Sequence, residues 1–185
     1  MVRGFLDAVN LVCSALIEGG YANDPLDPGK ETNHGVTAEN WQRAVTLRLI
    51  RGGVTVRERS RDEAVVVYRA FFWDAYRIGE LPYPLGLAFF DTIVNHTPVW
   101  SIKALQTSVG VIADGLMGTK TILAANQVRI IGTPDAPGAV MKLLKLRMEH
   151  YLHGVSAAVE ERFELGWANR LLDILFAAVL AASER

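Results

Sequence analysis

Glu18 stands at the end of an apolar run and directly before Gly19 and Gly20. The partial negative charge at a helix C-terminus disfavours an ionised carboxylate, and apolar neighbours add desolvation, so both effects keep a proton on this side chain toward neutral pH. A carboxyl in that state can donate its proton to a leaving oxygen, which is the task of a general acid in glycoside hydrolysis. The glycines beside it leave room for a bulky substrate. Nine residues on, Asp27 supplies a second acid. Cleaving a glycosidic bond commonly uses two carboxylates, one as acid and one as base or nucleophile. Asp24 competes for the second role; both aspartates precede a proline, where the side chain equally suits turn capping. Thr32, Asn33 and Thr37 are candidates to hold a water or bind substrate, and equally to cap the loop or the next helix.

The elements that must position these residues are helical. Phe5, Val9, Val12, Cys13, Leu16 and Ile17 recur at three- and four-residue steps, and Gly19-Gly20 ends the run. Residues 21–37, YANDPLDPGKETNHGVT, are polar and turn-rich. Helices are expected at 38–49, at 61–76 behind a Ser60–Glu63 capping box, at 84–95, at 98–109, at 119–127, at 137–153 and at 157–182. Val54-Thr55-Val56 alone reads as a strand. The expected fold is mainly α, with a short turn or hairpin region after the first helix.

Bulk properties narrow the class. With 185 residues, 50% of them hydrophobic and 21% charged, the chain is long enough for a substantial core and is not disordered in character. A net charge of −1 lacks the basic footprint of a nucleic-acid binder, so attraction to any anionic partner would need a local patch. The single cysteine, Cys13, reads as a buried thiol and permits no internal disulfide. The N-terminal run is interrupted by Asp7 and Asn10 and is followed by no small-residue cleavage site, so no signal peptide is expected. The apolar run LLDILFAAVLAA is shorter than the ~17–25 residues of a membrane span and reads as a docked helix or a dimer face. His150 and His153 share a helix face without an acidic or cysteine partner at ligand spacing, so neither a metal nor a cofactor is expected. Tyr21 and Trp73 are aromatic candidates for sugar stacking, with core packing the commoner role of such residues.

The stretch EGGYANDPLDPGKETNHGVT, residues 18–37, resembles the glycoside hydrolase 108 family of N-acetylmuramidases. The resemblance continues through YRAFFWDAYRIGELPYPLGLAFFDTIVNH, with its Asp-x-x-x-Asn helix, and through RFELGWANR, with a Gly-Trp-x-x-Arg pattern. KALQTSVGVIADGLMGTKT is similar to the peptidoglycan-binding region that accompanies the family, although its Asp114-Gly115-x-x-Gly118-x-x-Thr121 pattern also suits a tight turn before a helix cap.

The resemblance implies a lysozyme-like helical fold that cleaves the N-acetylmuramic acid–N-acetylglucosamine bond. It places the general acid at Glu18. The order Glu18, Asp27, Thr32 is also similar to the Glu–Asp–Thr arrangement of phage lysozymes, which favours Asp27 over Asp24 and makes Asp27 and Thr32 the expected catalytic partners. By the same analogy Asn95 lines the substrate groove, being equally suited to a helix C-cap, and it joins Tyr21, Asn33 and Thr37 as the candidate substrate contacts. Lys30 departs from the family, which carries a glycine there, and His96-Thr97-Pro98 replaces its small residues. The implied organisation is a catalytic lobe over 1–85 and a helical, wall-binding lobe over 86–185, packed as one unit. The expected partners are peptidoglycan strands and a holin or secretion route from the cytoplasm to the periplasm or wall, without nucleic acid or membrane. The rival reading is a non-catalytic wall-binding or secretion-associated module on the same fold.

Overall fold

The computed structural model describes residues 4–12, 20–23, 31–133, 135, 137–154 and 157–183; of 154 and 157–164 the backbone alone is described. The chain divides into two compact units, residues 1–76 and 77–185.

In the first unit, helix α1 (Phe5–Val12) buries Phe5, Ala8, Val9 and Val12 along one face, as the three- and four-residue spacing requires. The turn-rich stretch that follows forms a small antiparallel sheet of β1 (Tyr21–Asn23), β2 (Glu31–Asn33) and β3 (Val36–Thr37). His34 and Gly35 form the two-residue link between β2 and β3, both with positive φ, 50° and 72°. Two consecutive positive φ values give the type I′ geometry whose twist matches antiparallel strands.

Thr37 then caps helix α2 (Ala38–Thr46) by accepting the Asn40 amide at 3.3 Å, and α2 buries Trp41 and Ala44. Helix α3 (Arg61–Tyr68) starts at the expected capping box and buries Ala64, Val67 and Tyr68. Beyond Tyr68 the chain widens into a π-helical stretch, Arg69–Asp74, where a plain α-helix was expected. Trp73 is buried there with its ring edge against Phe5, at 5.5 Å between centroids.

Val54–Val56 is not a strand. Glu58 accepts both the backbone amide of Thr55, at 2.8 Å, and its hydroxyl, at 2.7 Å. This local closure winds Val56–Glu58 into a 3-10 turn. Side-chain bonds to nearby backbone compete with strand ladders, and here they prevail.

The second unit is built around helix α4 (Tyr83–Asn95), in which every residue from Pro84 to Ile93 is buried. Helices α5 (Pro98–Val109), α6 (Thr119–Gln127), α7 (Ala139–Gly154) and α8 (Ala157–Ser183) complete it. Gly110, with φ of 78°, ends α5 at the position expected from sequence. The architecture is therefore mainly α with a short hairpin region after the first helix. Within α8, Leu165–Ser183 is long and apolar enough by length and composition to cross a membrane, at 19 residues. That is longer than the apolar run read from sequence.

Candidate functional site

In sequence the site motif lies between α1 and β2. Glu18, Gly19, Asp24, Asp27 and Lys30 lie outside the described residues. Gly20 is described and holds φ of 59°, so its lack of a side chain has a backbone reason as well as a spatial one. Its carbonyl accepts the His34 amide at 3.2 Å, directly before β1.

The register sorts the candidate residues onto two faces. Tyr21 pairs with Asn33, Ala22 with Thr32 and Asn23 with Glu31, while Thr32 also pairs with Thr37 and Asn33 with Val36. Because strand side chains alternate, Ala22, Thr32 and Thr37 share one face and Tyr21, Asn33, Glu31 and Val36 share the other. The sheet thus sets the Thr32 and Thr37 hydroxyls side by side and separates both from Tyr21 and Asn33. Thr37 also carries the cap of α2. Thr32 and Thr37 are both half-buried.

Asn33 is buried, and its amide nitrogen donates to the carbonyls of Val56, Arg57 and Arg59 at 2.8, 3.1 and 3.2 Å. Its side chain is therefore a clip that fixes the 3-10 turn to the sheet. Tyr21 donates its hydroxyl to Glu31 at 3.1 Å and carries the Arg57 guanidinium 4.1 Å from its ring centroid. That contact is a cation–π pair on one face of the ring. Tyr68 donates to the His34 carbonyl at 3.3 Å and ties the hairpin turn to α3. Trp73, the other aromatic candidate, belongs to the core.

Beside this scaffold two carboxylates, Glu63 and Glu58, are held below their ordinary pKa. Burial works against the charged form of Glu63, but the Ser60 amide and Arg59 outweigh it and its pKa is lowered. Arg59 is buried and donates to Glu63 at 3.1 Å and to the Arg51 carbonyl at 2.7 Å. Glu58 is lowered first by the Thr55 amide and then by the Thr55 hydroxyl.

Asn95 belongs to the second unit, at the last turn of α4. It is exposed and donates its amide to the Asp91 carbonyl one turn back at 2.7 Å, while His96 takes the C-cap position. One turn earlier lies a charged centre that the sequence reading did not single out. Asp91 is fully buried and pairs with Arg147 on α7, also fully buried, and with Arg170 on α8 at 2.6 Å. Burial opposes the Arg147 cation, but Asp91 and then Tyr151 more than restore it, so its pKa is raised.

Trp167 stacks on Tyr151 at 4.6 Å and 6°. The Gly-Trp-x-x-Arg pattern therefore supplies one ring and one cation to this centre. An acid in the middle of the apolar run YPLGLAFFDTIVN was the available signal, since such a charge must find a partner. His96 packs against Trp100, His150 and Tyr151, and desolvation, then Arg147 and His150, pull its pKa down to about 3 against the opposing pull of Asp91. Among the described residues no group of three or more metal-ligating side chains occurs.

The Asp114–Thr121 segment is closed by buried Gln106. Its amide donates to Asp114 at 2.7 Å, to the Leu116 carbonyl at 3.1 Å and to Thr121 at 3.2 Å, while its oxygen accepts the Gly115 amide at 2.9 Å. These bonds account for the aspartate and threonine of that pattern as parts of a turn.

Residues 15–96 match the family described as glycosyl hydrolase 108. No curated protein matches the chain. Eleven solved chains do. One is a structure of SagA from Brucella abortus, with a TM-score of 0.74, 27% sequence identity, and coverage of 95% of this chain and 94% of that one.

Proposed function

We propose that the chain is a member of glycoside hydrolase family 108 and an N-acetylmuramidase, cutting the bond between N-acetylmuramic acid and N-acetylglucosamine in bacterial peptidoglycan. The observation that carries this reading is the family match over residues 15–96, which spans the whole Glu18–Asp27–Thr32 series. Glu18 protonates the glycosidic oxygen as the sugar leaves. Asp27 orients the attacking water or stabilises the positive charge that develops on the sugar, the division of labour that paired carboxylates support. Thr32 lies beside Thr37 on one sheet face, which favours it over Asn33 as the residue that steadies the water or the substrate. In this reading the protein works on the wall after release or export, by a holin or a dedicated secretion route.

Glu18→Gln keeps the side-chain size and removes proton donation. The expected result is a loss of about 10²–10⁴-fold in the release of reducing ends from purified peptidoglycan, with binding retained. Mass spectrometry of the wild-type products should find new reducing ends on muramic acid. Reducing ends on glucosamine alone would identify a glucosaminidase, and binding without any new ends would leave a wall-binding module.

A further inference from the structure

Arg57 is fixed in place while its charge faces solvent. Its backbone is clipped to the sheet, because Asn33 donates to the carbonyls of Val56, Arg57 and Arg59. The Glu58 carboxylate closes the same turn on Thr55. Its guanidinium lies 4.1 Å from the centre of the Tyr21 ring. The residue is exposed, and among the described residues nothing accepts its side-chain N–H groups. Other arginines of this unit are engaged: Arg51 and Arg59 pair with Glu63, Arg69 pairs with Asp74, and Arg61 bonds to Asn10. We propose that Arg57 is a specificity residue, which takes a carboxylate carried by the muramic acid of the substrate, on its lactyl group or on the peptide attached there. The inference rests on the muramidase reading.

A guanidinium is a planar fork of donors that matches a carboxylate. Holding it beforehand, on a ring and on a clipped turn, removes much of the rotamer entropy that an exposed arginine otherwise loses on pairing. The chain as a whole carries a net charge of −1, so an anionic substrate needs a cation held at one place. Glu31 lies on the same sheet face, but it accepts the Tyr21 hydroxyl at 3.1 Å and forms no ion pair with Arg57.

The register says which part of the substrate Arg57 meets. Tyr21 and the guanidinium over it lie on the sheet face opposite Thr32 and Thr37. Arg57 therefore reads a branch of the substrate and not the bond to be cut. β1 is the edge of the described sheet, with Ala22 on the Thr32 face and Tyr21 on the other. The two faces are about 10 Å apart, which a few extended peptide residues cross at about 3.3 Å each. A chain of N-acetylglucosamine alone has neither the branch nor the charge, so Arg57 would favour peptidoglycan over chitin.

Calorimetric Kd values test the idea in a Glu18→Gln chain, where nothing is cut. The ligands are a peptidoglycan tetrasaccharide with its peptides, the same glycan after an amidase has removed them, and chitotetraose. Adding Arg57→Gln should weaken binding of the first ligand about three- to tenfold and of chitotetraose less than twofold. Arg57→Lys, which keeps the charge and loses the fork, should lie between, and serves as the second probe should R57Q lose its fold. Arg43→Gln removes an exposed cation over Phe71 and should change each Kd less than twofold. A loss that persists on the stripped glycan assigns the lactyl carboxylate; one confined to the peptide-bearing ligand assigns the peptide. The proposal is overturned if the parent does not bind the peptide-bearing ligand, if folded R57Q or R57K binds it as tightly as the parent, or if chitotetraose or R43Q shows the same loss. Reducing ends released from whole sacculi by the wild-type chain are scored separately. Their absence would sink the muramidase reading alone, while the Kd values still judge Arg57.

Discussion

The two units bury polar groups in different ways. In the first, buried side chains address backbone: Asn33 donates to three carbonyls of the 3-10 turn, and Arg59 donates to the Arg51 carbonyl as well as to Glu63. In the second, they address one another across helices, with Asp91 on α4 joined to Arg147 on α7 and Arg170 on α8. Bonds to backbone fix a local shape, while an ion cluster fixes which helices meet. The unit that carries the Glu18 motif thus needs its short sheet and turn held in one conformation. The helical unit needs its long elements held in one arrangement. A buried charge that loses its partner is far costlier than a lost neutral hydrogen bond, so the two designs should fail at different scales.

Asp91→Asn should have the largest effect. It removes the counter-charge of a fully buried guanidinium and of Arg147's neighbour Arg170, and a loss of about 3–5 kcal/mol in urea unfolding is expected. Asp91→Leu combined with Arg147→Met, which removes the stranded charge and restores apolar packing, should recover part of that loss. A single variant that costs under about 1 kcal/mol would break the comparison, because the cluster would then be no more than a set of ordinary hydrogen bonds.

Asn33→Asp comes next. It is nearly isosteric but turns a donor toward three carbonyl oxygens into an acceptor, with an expected cost of about 2–3 kcal/mol. The damage should be local. Hydrogen exchange should accelerate at the sheet and at Val56–Arg59 while the amides of α4 and α7 keep their protection. Equal acceleration in α4 would mean that the first unit is not held by its own backbone-directed bonds.

His96 sharpens the comparison through pH. Its folded pKa lies near 3, below the ordinary histidine value of 6.5. Between those values the unfolded chain takes up a proton that the folded chain refuses, so stability is complete above about pH 6.5 and falls as the pH drops toward 3. The ring keeps some solvent contact, which screens the effect to ~2 kcal/mol over that window. His96→Phe should flatten the acid limb of the melting-temperature profile. An unchanged slope would place the acid sensitivity elsewhere.

Much of this contrast was legible in the sequence on the helical side and little of it in the hairpin. The capping box at Ser60 and Glu63, the Pro98 start and the Gly110 end of α5 follow from local chemistry, and the structure keeps them. The strands at 21–23, 31–33 and 36–37 are too short for alternation to stand out, and the turn that joins the last two uses His34 where Asn is the usual residue. Register decides which face Thr32 and Asn33 occupy, and register is a tertiary property. The strand expected at Val54–Val56 failed because Glu58, three residues beyond Thr55, closes a turn on it. Asp91, Arg147 and Arg170 lie 56 and 79 residues apart in sequence, a separation over which no spacing rule operates.

Arg57→Ala should have the smallest effect and completes the series. Its guanidinium lies over Tyr21 but is exposed, and among the described residues no carboxylate forms an ion pair with it. An exposed cation–π contact contributes about 0.5 kcal/mol, which should appear as a melting shift of about 1–2 °C. The Asp91 and Arg57 variants would then differ by roughly an order of magnitude in stability, although each removes one charge from an aromatic-rich neighbourhood. Burial would be what separates them. If R57A instead destabilises the chain as much as N33D, the ring of Tyr21 and the turn above it form one cooperative block, and the sheet of the first unit is held by its cations as well as by Asn33.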